Sequence, residues 1–388
     1  MELKEGYKQT EVGVIPEDWE PNTLEDIIVN IIGGGTPRTD RPEFWGGRIP
    51  WATVKDFSTF SPFSTQEYVT ELGVKFSATH IIPAGTFILA TRIAIGRGTI
   101  YCVDVAINQD LKAIIFKKFI DILFIFYWFQ INERLLQELG SGSTVKGISL
   151  DQLKKVHIAI PPFIEQKAIA SALSDVDALL SSLDALITKK RDIKTAAMQE
   201  LLTGKKRLPG FSGEWREDTI KNIAPLQRGY DLPLAKLKKG EYPVIGSNGT
   251  IFHHNEFKIK GPGVITGRSG TIGSVFFIEE DYWPHNTTLY VTNFYNNYPK
   301  FIYYLYNFCG FEQYSNGSGV PTLNRNDIHD IKIHIPRYAE QAAIAAILSD
   351  MDAEIAALES RRAKTLALKQ GMMQELLTGR TRLLPEGD

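Results

Sequence analysis

Side chains that could contact a nucleic acid recur on glycine-rich turns in both halves of this 388-residue chain. Arginine, asparagine and glutamine form paired hydrogen bonds with the edges of guanine and adenine, and lysine and hydroxyl groups bind phosphates. Each such residue could also be an ordinary solvated residue or a strand-end hydrogen-bonding group. The candidates are Arg38, Thr53, Lys55, Arg92, Arg97, Asn108, Gln109 and Lys146 in the first half, and Arg228, Tyr230, Asn248, Arg268, Ser269, Asn286, Thr287 and Asn324 in the second.

The sequence contains no arrangement that predicts catalysis or a metal site, so we expect neither in this chain. The glycine turn at 33–36 lacks the lysine of a phosphate-binding P-loop. Residues 160–163, Ile-Pro-Pro-Phe, are superficially similar to the N-P-P-F motif of amino-methyltransferases, but Ile160 stands where that motif requires an amide. The prolines are better explained as a helix entry. His253 and His254 are adjacent, and neighbours on a strand point to opposite faces.

Composition indicates a globular protein of two or more domains. The net charge of −2 argues only weakly against a nucleic-acid partner, because local patches matter more than totals. Cys102 and Cys309 form no disulfide framework, which favours a reducing cytoplasm. The N-terminus is polar and is not typical of a signal peptide, and the apolar run at 122–129 is too short to cross a membrane.

The elements that must position these side chains are given by an internal repeat. Residues 160–208 recur without a gap at 335–383, and the segment MQELLTG at 198–204 returns unchanged at 373–379. An ungapped match of this length indicates a duplicated structural unit. A second similarity, Trp19 with Trp215, places a related segment before each copy.

Each copy predicts one long helix that starts after prolines and ends at a glycine. Glu165–Thr203 would be about 57 Å long at 1.5 Å per residue. Apolar residues step by four and three, which is typical of a coiled-coil seam. We expect a stutter after Ile187, with Ile193 and Leu368 resuming the stripe out of phase. The seam residues are Ile169, Leu173, Val176, Leu180, Leu183 and Ile187, and Ile344, Leu348, Met351, Ile355 and Leu358. A narrow stripe on two equal helices favours their packing on each other over packing on separate domains.

The chain therefore predicts an α+β protein made of two related domains and two long helices. The expected boundaries are a first domain at 1–160 with a loose arm at 1–18, a helix at 161–208, a second domain at 209–335 and a helix at 336–388. Within the domains we place Arg268 opposite Arg92 and Asn286 opposite Asn108, and expect a helix over 119–139. The loops at 142–160 and 317–335 could bind phosphate or be ordinary helix entries.

These repeats resemble the specificity subunits of type I restriction–modification systems. The resemblance rests on the double I-P-[PR]-x-x-E-Q…L-S-x-x-D, the double M-Q-E-L-L-T-G-[KR]-x-R-L and the F-S-G-E-W that follows the first copy. It covers essentially the whole chain, and its motifs recur at the spacing of the family. It implies a fold of two target-recognition domains separated by two antiparallel coiled-coil spacer helices with pseudo-two-fold symmetry.

The resemblance also implies a function in defence against foreign DNA. The chain would read a bipartite, asymmetric site on double-stranded DNA, one half-site per domain, and would itself be non-catalytic. Two methyltransferase subunits would dock on the helices and a restriction (translocase/nuclease) subunit would join them. S-adenosylmethionine, ATP and Mg would be bound by those partners, with no cofactor here. The matching helix positions are expected to serve docking and spacing: Glu165, Gln166, Asp175, Glu340, Gln341 and Asp350.

Two other hypotheses remain open at this point. A coiled-coil scaffold that joins proteins without DNA would share the helices, but it would not explain two related yet divergent domains. An unrecognised DNA-modifying enzyme would show turnover of S-adenosylmethionine without added subunits.

Overall fold

The computed structural model of this chain describes residues 5–141, 146–315 and 321–383. It divides into two compact units. Unit 1 is built from residues 1–182 and 362–388, and unit 2 from residues 183–361. Each unit therefore holds one domain together with half of each long helix. The division falls inside both helices, not at their ends.

Unit 1 contains a β-hairpin, two four-stranded sheets whose strands are interspersed along the chain, and a separate strand pair. Its strands are β1 (Tyr7–Thr10), β2 (Gly13–Pro16), β3 (Glu20–Thr23), β4 (Ile28–Gly33), β5 (Trp45–Ala52), β6 (Glu67–Val69), β7 (Ile81–Ile82), β8 (Phe87–Ala90), β9 (Gly98–Ile100), β10 (Val105–Ile107), β11 (Leu111–Phe116) and β12 (His157–Ile160). Its helices are α1 (Leu24–Ile27), α2 (Glu71–Lys75), α3 (Ile122–Ile131), α4 (Glu133–Leu139), α5 (Leu150–Lys154), the first half of α6 (Phe163–Leu201) and the second half of the last long helix, α10 (Tyr338–Leu376). The sheets have the strand orders β4-β11-β8-β9 and β6-β5-β10-β7, and β12 pairs with β3.

Unit 2 repeats this plan with fewer residues. Its strands are β13 (Arg216–Thr219), β14 (Leu226–Arg228), β15 (Lys239–Gly246), β16 (Gly249–His254), β17 (Gly263–Gly267), β18 (Val275–Ile278), β19 (Trp283–Pro284), β20 (Thr288–Val291) and β21 (Lys332–Ile335). Its helices are the second half of α6, α7 (Ile220–Ile223), α8 (Pro299–Cys309), α9 (Arg325–His329) and the first half of α10 (Tyr338–Leu376). The orders are β14-β20-β17-β18 and β16-β15-β19, and β13 pairs with β21.

Strand register shows that the two domains share one α+β fold, as predicted. Both contain a parallel pair within an otherwise antiparallel sheet. Trp51 of β5 lies beside Ala106 of β10 in unit 1, and Val244 of β15 lies beside Trp283 of β19 in unit 2. The central strand of the other sheet, β11 or β20, is antiparallel to both its neighbours. The duplicated sequence therefore encodes a duplicated topology.

Two local predictions in unit 1 are wrong. The predicted loose arm contains the β1–β2 hairpin, and the Tyr7 hydroxyl donates a 2.8 Å hydrogen bond to the carbonyl of Gly379. The predicted helix over 119–139 is two helices, because the chain turns at Asn132 between α3 and α4. The Asn132 side chain donates back to the carbonyl of Trp128, 2.8 Å away, and so competes with the helical hydrogen-bonding pattern.

The seam of the long helices has no stutter. Ile193 and Leu368, the residues expected to resume the stripe, are 44% and 60% exposed. The four-and-three spacing continues instead through Lys194 of α6 and Lys369 of α10, and Lys369 is only 7% exposed. The long lysine side chain buries its methylene groups along the seam while its ammonium group meets a carboxylate of the facing helix.

Those carboxylates show how the helices run within each unit. In unit 2 the Nζ atom of Lys194 lies 2.5 Å from Oδ1 of Asp352, and Arg191 lies 2.5 Å from Glu359, so later residues of α6 meet earlier residues of α10. The helix halves are therefore antiparallel. In unit 1 the corresponding pair is Lys369 and Asp177, 2.7 Å apart. A tyrosine from the domain completes each group: Tyr127 donates to Asp177 and Tyr304 donates to Asp352, both at 2.8 Å.

A buried ion pair fixes the other end of each helix half. Glu165, in the first turn of α6, is 0% exposed, and both its oxygens accept hydrogen bonds of 2.8 Å from the guanidinium of Arg382, which follows α10. In unit 2 Arg207 binds both oxygens of Glu340 in the same way, at 2.6 and 2.7 Å. The repeated L-L-T-G-[KR]-x-R segment thus supplies an arginine to the start of the other helix. A two-pronged contact of this kind is stronger and more directional than a lysine pair.

Candidate nucleic-acid interface

Polar residues meet at one edge of unit 1, where β10 and β8 end and β11 begins. The backbone N–H of Thr91 donates to the carbonyl of Asp110, which joins the turn after β8 to the turn before β11. On this edge the Thr36 hydroxyl donates to Oε1 of Gln109 at 2.6 Å. The guanidinium of Arg92 lies 3.3 Å from Asp110 and remains about half exposed. Two predicted candidates, Arg92 and Gln109, are therefore neighbours on one surface.

A lysine that sequence reasoning missed belongs to the same edge. The ammonium group of Lys112, on β11, donates to the carbonyl of Gln109 at 2.7 Å. Burial lowers the pKa of Lys112 and nearby Arg92 lowers it further, while Asp110 raises it. Lys112 is the only charged residue in the otherwise apolar strand L-K-A-I-I-F, and a single charge in such a strand is the sequence signal that could have identified it as a candidate. With Arg92 and Lys146 it gives this edge three cationic side chains.

Two candidates of unit 1 have structural roles instead. Asn108 is buried, and its amide donates to the carboxylate of Asp110 at 3.1 Å while its carbonyl accepts from the Asp110 N–H. Thr53 is buried as well, and it caps the 3₁₀ turn Val54–Ser58 by accepting from the N–H of Lys55 at 3.2 Å. Neither side chain is available to a base edge in this structure, because its polar atoms already bond within the domain.

Three other candidates of unit 1, Arg38, Arg97 and Lys55, lie on other parts of the surface, whereas Lys146 adjoins the edge, because its carbonyl accepts from the N–H of Ile93. Arg38 is exposed and forms a two-pronged pair with Asp40. Arg97 pairs with Glu133 of α4 at 2.9 Å. Lys55 is exposed on the 3₁₀ turn after β5, and Lys146 is exposed after the segment 142–145, which lies outside the described residues.

Unit 2 brings its candidates together at the corresponding edge. The carbonyl of Thr287 accepts from the N–H groups of Arg268 and Ser269, at 2.8 and 3.2 Å. The Asn286 amide donates to Asp231, whose carboxylate also lies 3.5 Å from Arg228. This edge is thus assembled from the turns after β14, after β17 and before β20, as in unit 1.

An aromatic pair and a histidine border the edge of unit 2. The hydroxyls of Tyr230 and Tyr290 lie 3.0 Å apart, and Tyr230 is partly exposed. Burial raises the pKa of Tyr290, so this phenol stays neutral. Nδ1 of His285 lies 3.1 Å from the Thr287 hydroxyl, and burial lowers the pKa of His285. A neutral imidazole beside a hydroxyl offers hydrogen bonds without charge.

Two more candidates of unit 2 lie in turns. Asn248 is in the two-residue turn between β15 and β16, where Gly246 faces Gly249 in the strand register. Asn324 caps α9 and accepts from the N–H of Asn326 at 3.0 Å, which makes it a helix-entry residue. The Gly-Ser turn of the second loop, at 316–320, lies outside the described residues.

Two predicted equivalences are displaced by one residue. Thr91 of unit 1 and Arg268 of unit 2 make the same backbone hydrogen bonds, each accepting from the chain before the last short helix and donating to the turn before the central strand. Arg92 is therefore equivalent to Ser269, not to Arg268. By the same register Asn286 corresponds to Gln109, not to Asn108. A slip of one residue exchanges the two faces of a strand, so the two arginines leave the backbone in different directions.

Comparison with known proteins shows which family this chain belongs to. The sequence profile of the family described as "Type I restriction modification DNA specificity domain" matches residues 16–190 and again residues 212–367. The chain belongs to the type I restriction–modification DNA specificity family. The two matches follow the internal repeat, so each recognition domain of this specificity chain is one copy of the family domain.

Curated relatives of this specificity chain are type I specificity subunits. The MjaIX specificity subunit of Methanocaldococcus jannaschii is 34% identical over 181 residues, which is 45% of this chain and 42% of that protein. The EcoR124I/EcoR124II subunit of Escherichia coli is 29% identical and likewise matched over 42% of its length. The MjaVIII subunit of M. jannaschii is 22% identical over 98% of this chain and 97% of its own. The chain thus spans less than half of the first two relatives and nearly all of the third.

Solved structures share the fold of this specificity chain. A crystal structure of the S subunit from M. genitalium aligns with a TM-score of 0.63 at 15% identity and covers 97% of this chain and 98% of that one. A chain from a study of complex assembly and conformational transition of the type I R-M system gives 0.59 at 14% identity, covering 95% and 99%.

The helix residues expected to dock partners fall into two groups in this specificity chain. Glu165 and Glu340 are buried in the arginine pairs described above. Gln166 and Gln341 are buried too, and each carbonyl oxygen accepts from a backbone N–H of its domain at 2.8 Å. In this structure these four residues join helix to domain and do not face outward. Asp175 and Asp350, in contrast, are exposed on the helices.

The described part of the specificity chain lacks both a metal-binding cluster and a membrane-spanning helix. Residues 5–141, 146–315 and 321–383 contain no group of three His, Cys, Asp or Glu side chains that could hold a metal ion. No helix in these ranges is long and apolar enough to cross a membrane.

Proposed function

We propose that this chain is the DNA sequence-recognition subunit of a type I restriction–modification complex, in which each domain reads one half of a bipartite, asymmetric site. The observation that carries the proposal is the pair of equivalent domain edges with different polar groups. Unit 1 presents Arg92, Gln109 and Lys112, and unit 2 presents Arg268, Ser269 and Asn286 at corresponding turns. The two units have equivalent backbone turns that carry different hydrogen-bonding side chains, which suits the recognition of two different base sequences.

In this function, catalysis is carried out by partner subunits. Two methyltransferase subunits dock on the helices of this non-catalytic chain, and a restriction subunit joins the assembly in the cytoplasm. The repeat supports two quasi-equivalent docking surfaces, each marked by an exposed aspartate, Asp175 or Asp350. S-adenosylmethionine, ATP and Mg are then needed by the partners and not by this chain.

The test is to map methylation in cells that express this chain with its modification subunit. Single-molecule sequencing is expected to show one motif made of two short, different half-sites separated by a fixed gap. The control omits this chain and is expected to lose that motif. A single uninterrupted motif, or unchanged methylation without the chain, would contradict the proposal.

The two edges predict that Arg92 and Arg268 contact different half-sites of the DNA. Arg92→Ala is expected to weaken binding to duplexes intact only in one half-site, and Arg268→Ala to weaken the other, each by about 1–3 kcal/mol for a base contact. Binding by the reconstituted methyltransferase is measured on duplexes with either half-site scrambled. Arg134→Ala, on the exposed face of α4, is the matched control. A loss that is equal for all sequences would indicate phosphate contacts, and no loss in a folded protein would refute the assignment.

The unbroken seam predicts that helix length sets the gap in the DNA site. Seven residues added to each helix, after Ser182 and after Arg361, keep the seam in phase. They lengthen each helix by about 10.5 Å, which matches about three base pairs. Because DNA also rotates with each added pair, the preferred gap is expected to change or be lost while both half-sites are retained. Binding is measured on duplexes whose gap varies one pair at a time.

A two-residue insertion at the same points is the control, since it moves the seam out of phase and should damage helix pairing and assembly. An unchanged optimal gap after the seven-residue insertion would show that the helices do not measure it.

A further inference from the structure

Ile93, at the tip of the loop between β8 and β9, has a backbone conformation that isoleucine rarely adopts. Its φ is +65°, and the N–H of Ala94 donates to the carbonyl of Arg92 at 2.7 Å. This closes a three-residue γ-turn of the rare positive-φ form. A β-branched residue in that region is strained, because its Cβ crowds the backbone.

Unit 2 has a glycine at the equivalent positive-φ position. The equivalent residue is Gly270, with φ +85°, and glycine adopts that conformation without cost. The backbone hydrogen bond of this residue is the same in both units. Ile93 donates its N–H to the carbonyl of Lys146 at 3.3 Å, and Gly270 donates to the carbonyl of Pro321 at 3.4 Å. One copy of the repeat therefore keeps an unfavourable residue where the other has the favourable one.

Packing within the protein does not offset this strain. The Ile93 residue is 66% exposed, so most of its apolar surface lies in water. In the unliganded chain Ile93 therefore has both a strained backbone and an exposed apolar side chain, and a glycine at this position would have neither. Strain of this kind tends to occur at sites that bind another molecule.

The groups around Ile93 indicate what that molecule is. Arg92 precedes it, the backbone carbonyl of Lys146 accepts its N–H, and Lys112 lies close enough to Arg92 for their charges to interact. Asp110 is paired with both Arg92 and Asn108 and is mostly buried. An exposed apolar side chain among three cations suits DNA, because the phosphates attract the cations and the stacked bases offer apolar faces to a side chain that enters between them.

We propose that Ile93 is an apolar wedge that presses between two base pairs of the half-site read by unit 1. Proteins that deform DNA insert isoleucine or similar side chains between base steps in this way, while basic residues hold the flanking phosphates. The proposal rests on the DNA-reading function proposed above. Unit 2, with Gly270, lacks the wedge, so the two half-sites are deformed unequally.

The experiment places 2-aminopurine at successive steps of the duplex identified by methylation mapping, and titrates it with the full chain and its modification subunits. With the natural chain, fluorescence is expected to rise at one step of one half-site because the wedge unstacks that base. Ile93→Gly and Ile93→Ala are expected to abolish the rise and weaken binding to that half-site about 10-fold, a typical cost of one lost base contact. Val29→Ala, a 63% exposed residue of the same unit, is the matched control and should change neither signal.

Melting temperature separates the wedge from a structural role. Ile93→Gly is expected to melt at the same or a higher temperature, because it removes the strain, and Ile93→Ala, which keeps a Cβ but loses the β-branch, is expected to change the melting temperature less. Unchanged affinity and unchanged fluorescence in both variants would overturn the wedge while leaving the DNA-reading function intact. Loss of the modification subunit from the Ile93→Gly complex would assign Ile93 to a protein contact and also overturn it. A natural chain that does not prefer the mapped duplex over a scrambled one would refute the DNA-reading function itself.

Discussion

Replacing Glu165 by alanine is expected to lower the unfolding free energy of unit 1 by about 3–5 kcal/mol. The carboxylate is fully buried and binds Arg382 through both oxygens, and the Trp19 indole N–H also donates to it at 2.9 Å. The Glu165 carboxylate raises the pKa of Arg382 further above its usual range. Without Glu165 the guanidinium still stays charged, because the ordinary pKa of arginine already lies far above neutral pH. The loss of Glu165 therefore leaves a poorly solvated cation and an unpaired indole N–H together.

The measurement is urea unfolding followed by circular dichroism. Asp18→Ala removes the more exposed partner of Arg382 and is expected to cost less than about 1 kcal/mol. Glu340→Ala makes the same change in unit 2 and is expected to shift a different part of the transition. It should cost about 1 kcal/mol less than Glu165→Ala, because the buried N–H of Trp215 has no hydrogen-bond partner in the described structure to begin with. Equal and small effects at both glutamates would contradict a role for these pairs in joining helix to domain.

Replacing Asp177 by alanine is expected to cost unit 1 about 3–5 kcal/mol, and a second substitution, Lys369→Met, is expected to restore most of it. The single change leaves the buried Lys369 ammonium without its carboxylate partner, which is the costly state. The double change replaces a polar seam position by an apolar side chain of similar length, which such sites often tolerate. Tyr127 loses its acceptor in both variants, so the recovery is not complete.

The same double-mutant cycle in unit 2 uses Asp352→Ala and Lys194→Met. The Lys194 side chain is 21% exposed and that of Lys369 is 8% exposed, so water can solvate the orphaned ammonium in unit 2 and the single change should cost less there. Urea unfolding of the four variants in each unit gives the coupling energy directly. A double variant no more stable than the single one would show that the lysines are not held by these carboxylates.

The long helices show both the strength and the limit of sequence patterns. Repetition and periodicity predicted two 39-residue helices, and the structure contains them. The predicted stutter is wrong because apolar side chains are not the only ones that occupy seam positions. Lys194 and Lys369 occupy the seam, since a carboxylate opposite makes a buried ammonium stable, while Ile193 and Leu368 face outward. Which residues occupy the seam depends on where Asp177 and Asp352 lie on the facing helix. The sequence of one helix alone does not show that position.

The candidate site shows a different limit. Its residues come from turns that the sequence separates widely, such as Thr36 and Gln109, and strand pairing alone brings them together. The sequence comparison predicts that Arg92 and Arg268 correspond, but similar sequences can be aligned one residue apart, and only the hydrogen-bond register shows that Arg92 corresponds to Ser269. Burial likewise removed Asn108 from the interface, because its partner Asp110 lies two residues away in a turn whose shape the sequence does not reveal.

The division of the chain into units has a consequence for how it is made on the ribosome. Unit 2 is one continuous segment, 183–361, whereas unit 1 needs residues 362–388 to complete what residues 1–182 begin. Leu376 and Leu377 lie in the same core as Trp19, and Arg382 must reach Glu165 across 217 residues. During synthesis unit 2 can therefore close first, while unit 1 keeps an apolar face uncovered until the last turns of α10 emerge. Closure over so long a loop is entropically slow and exposes that face to aggregation, so a chaperone is expected to act on the first domain and not on the second.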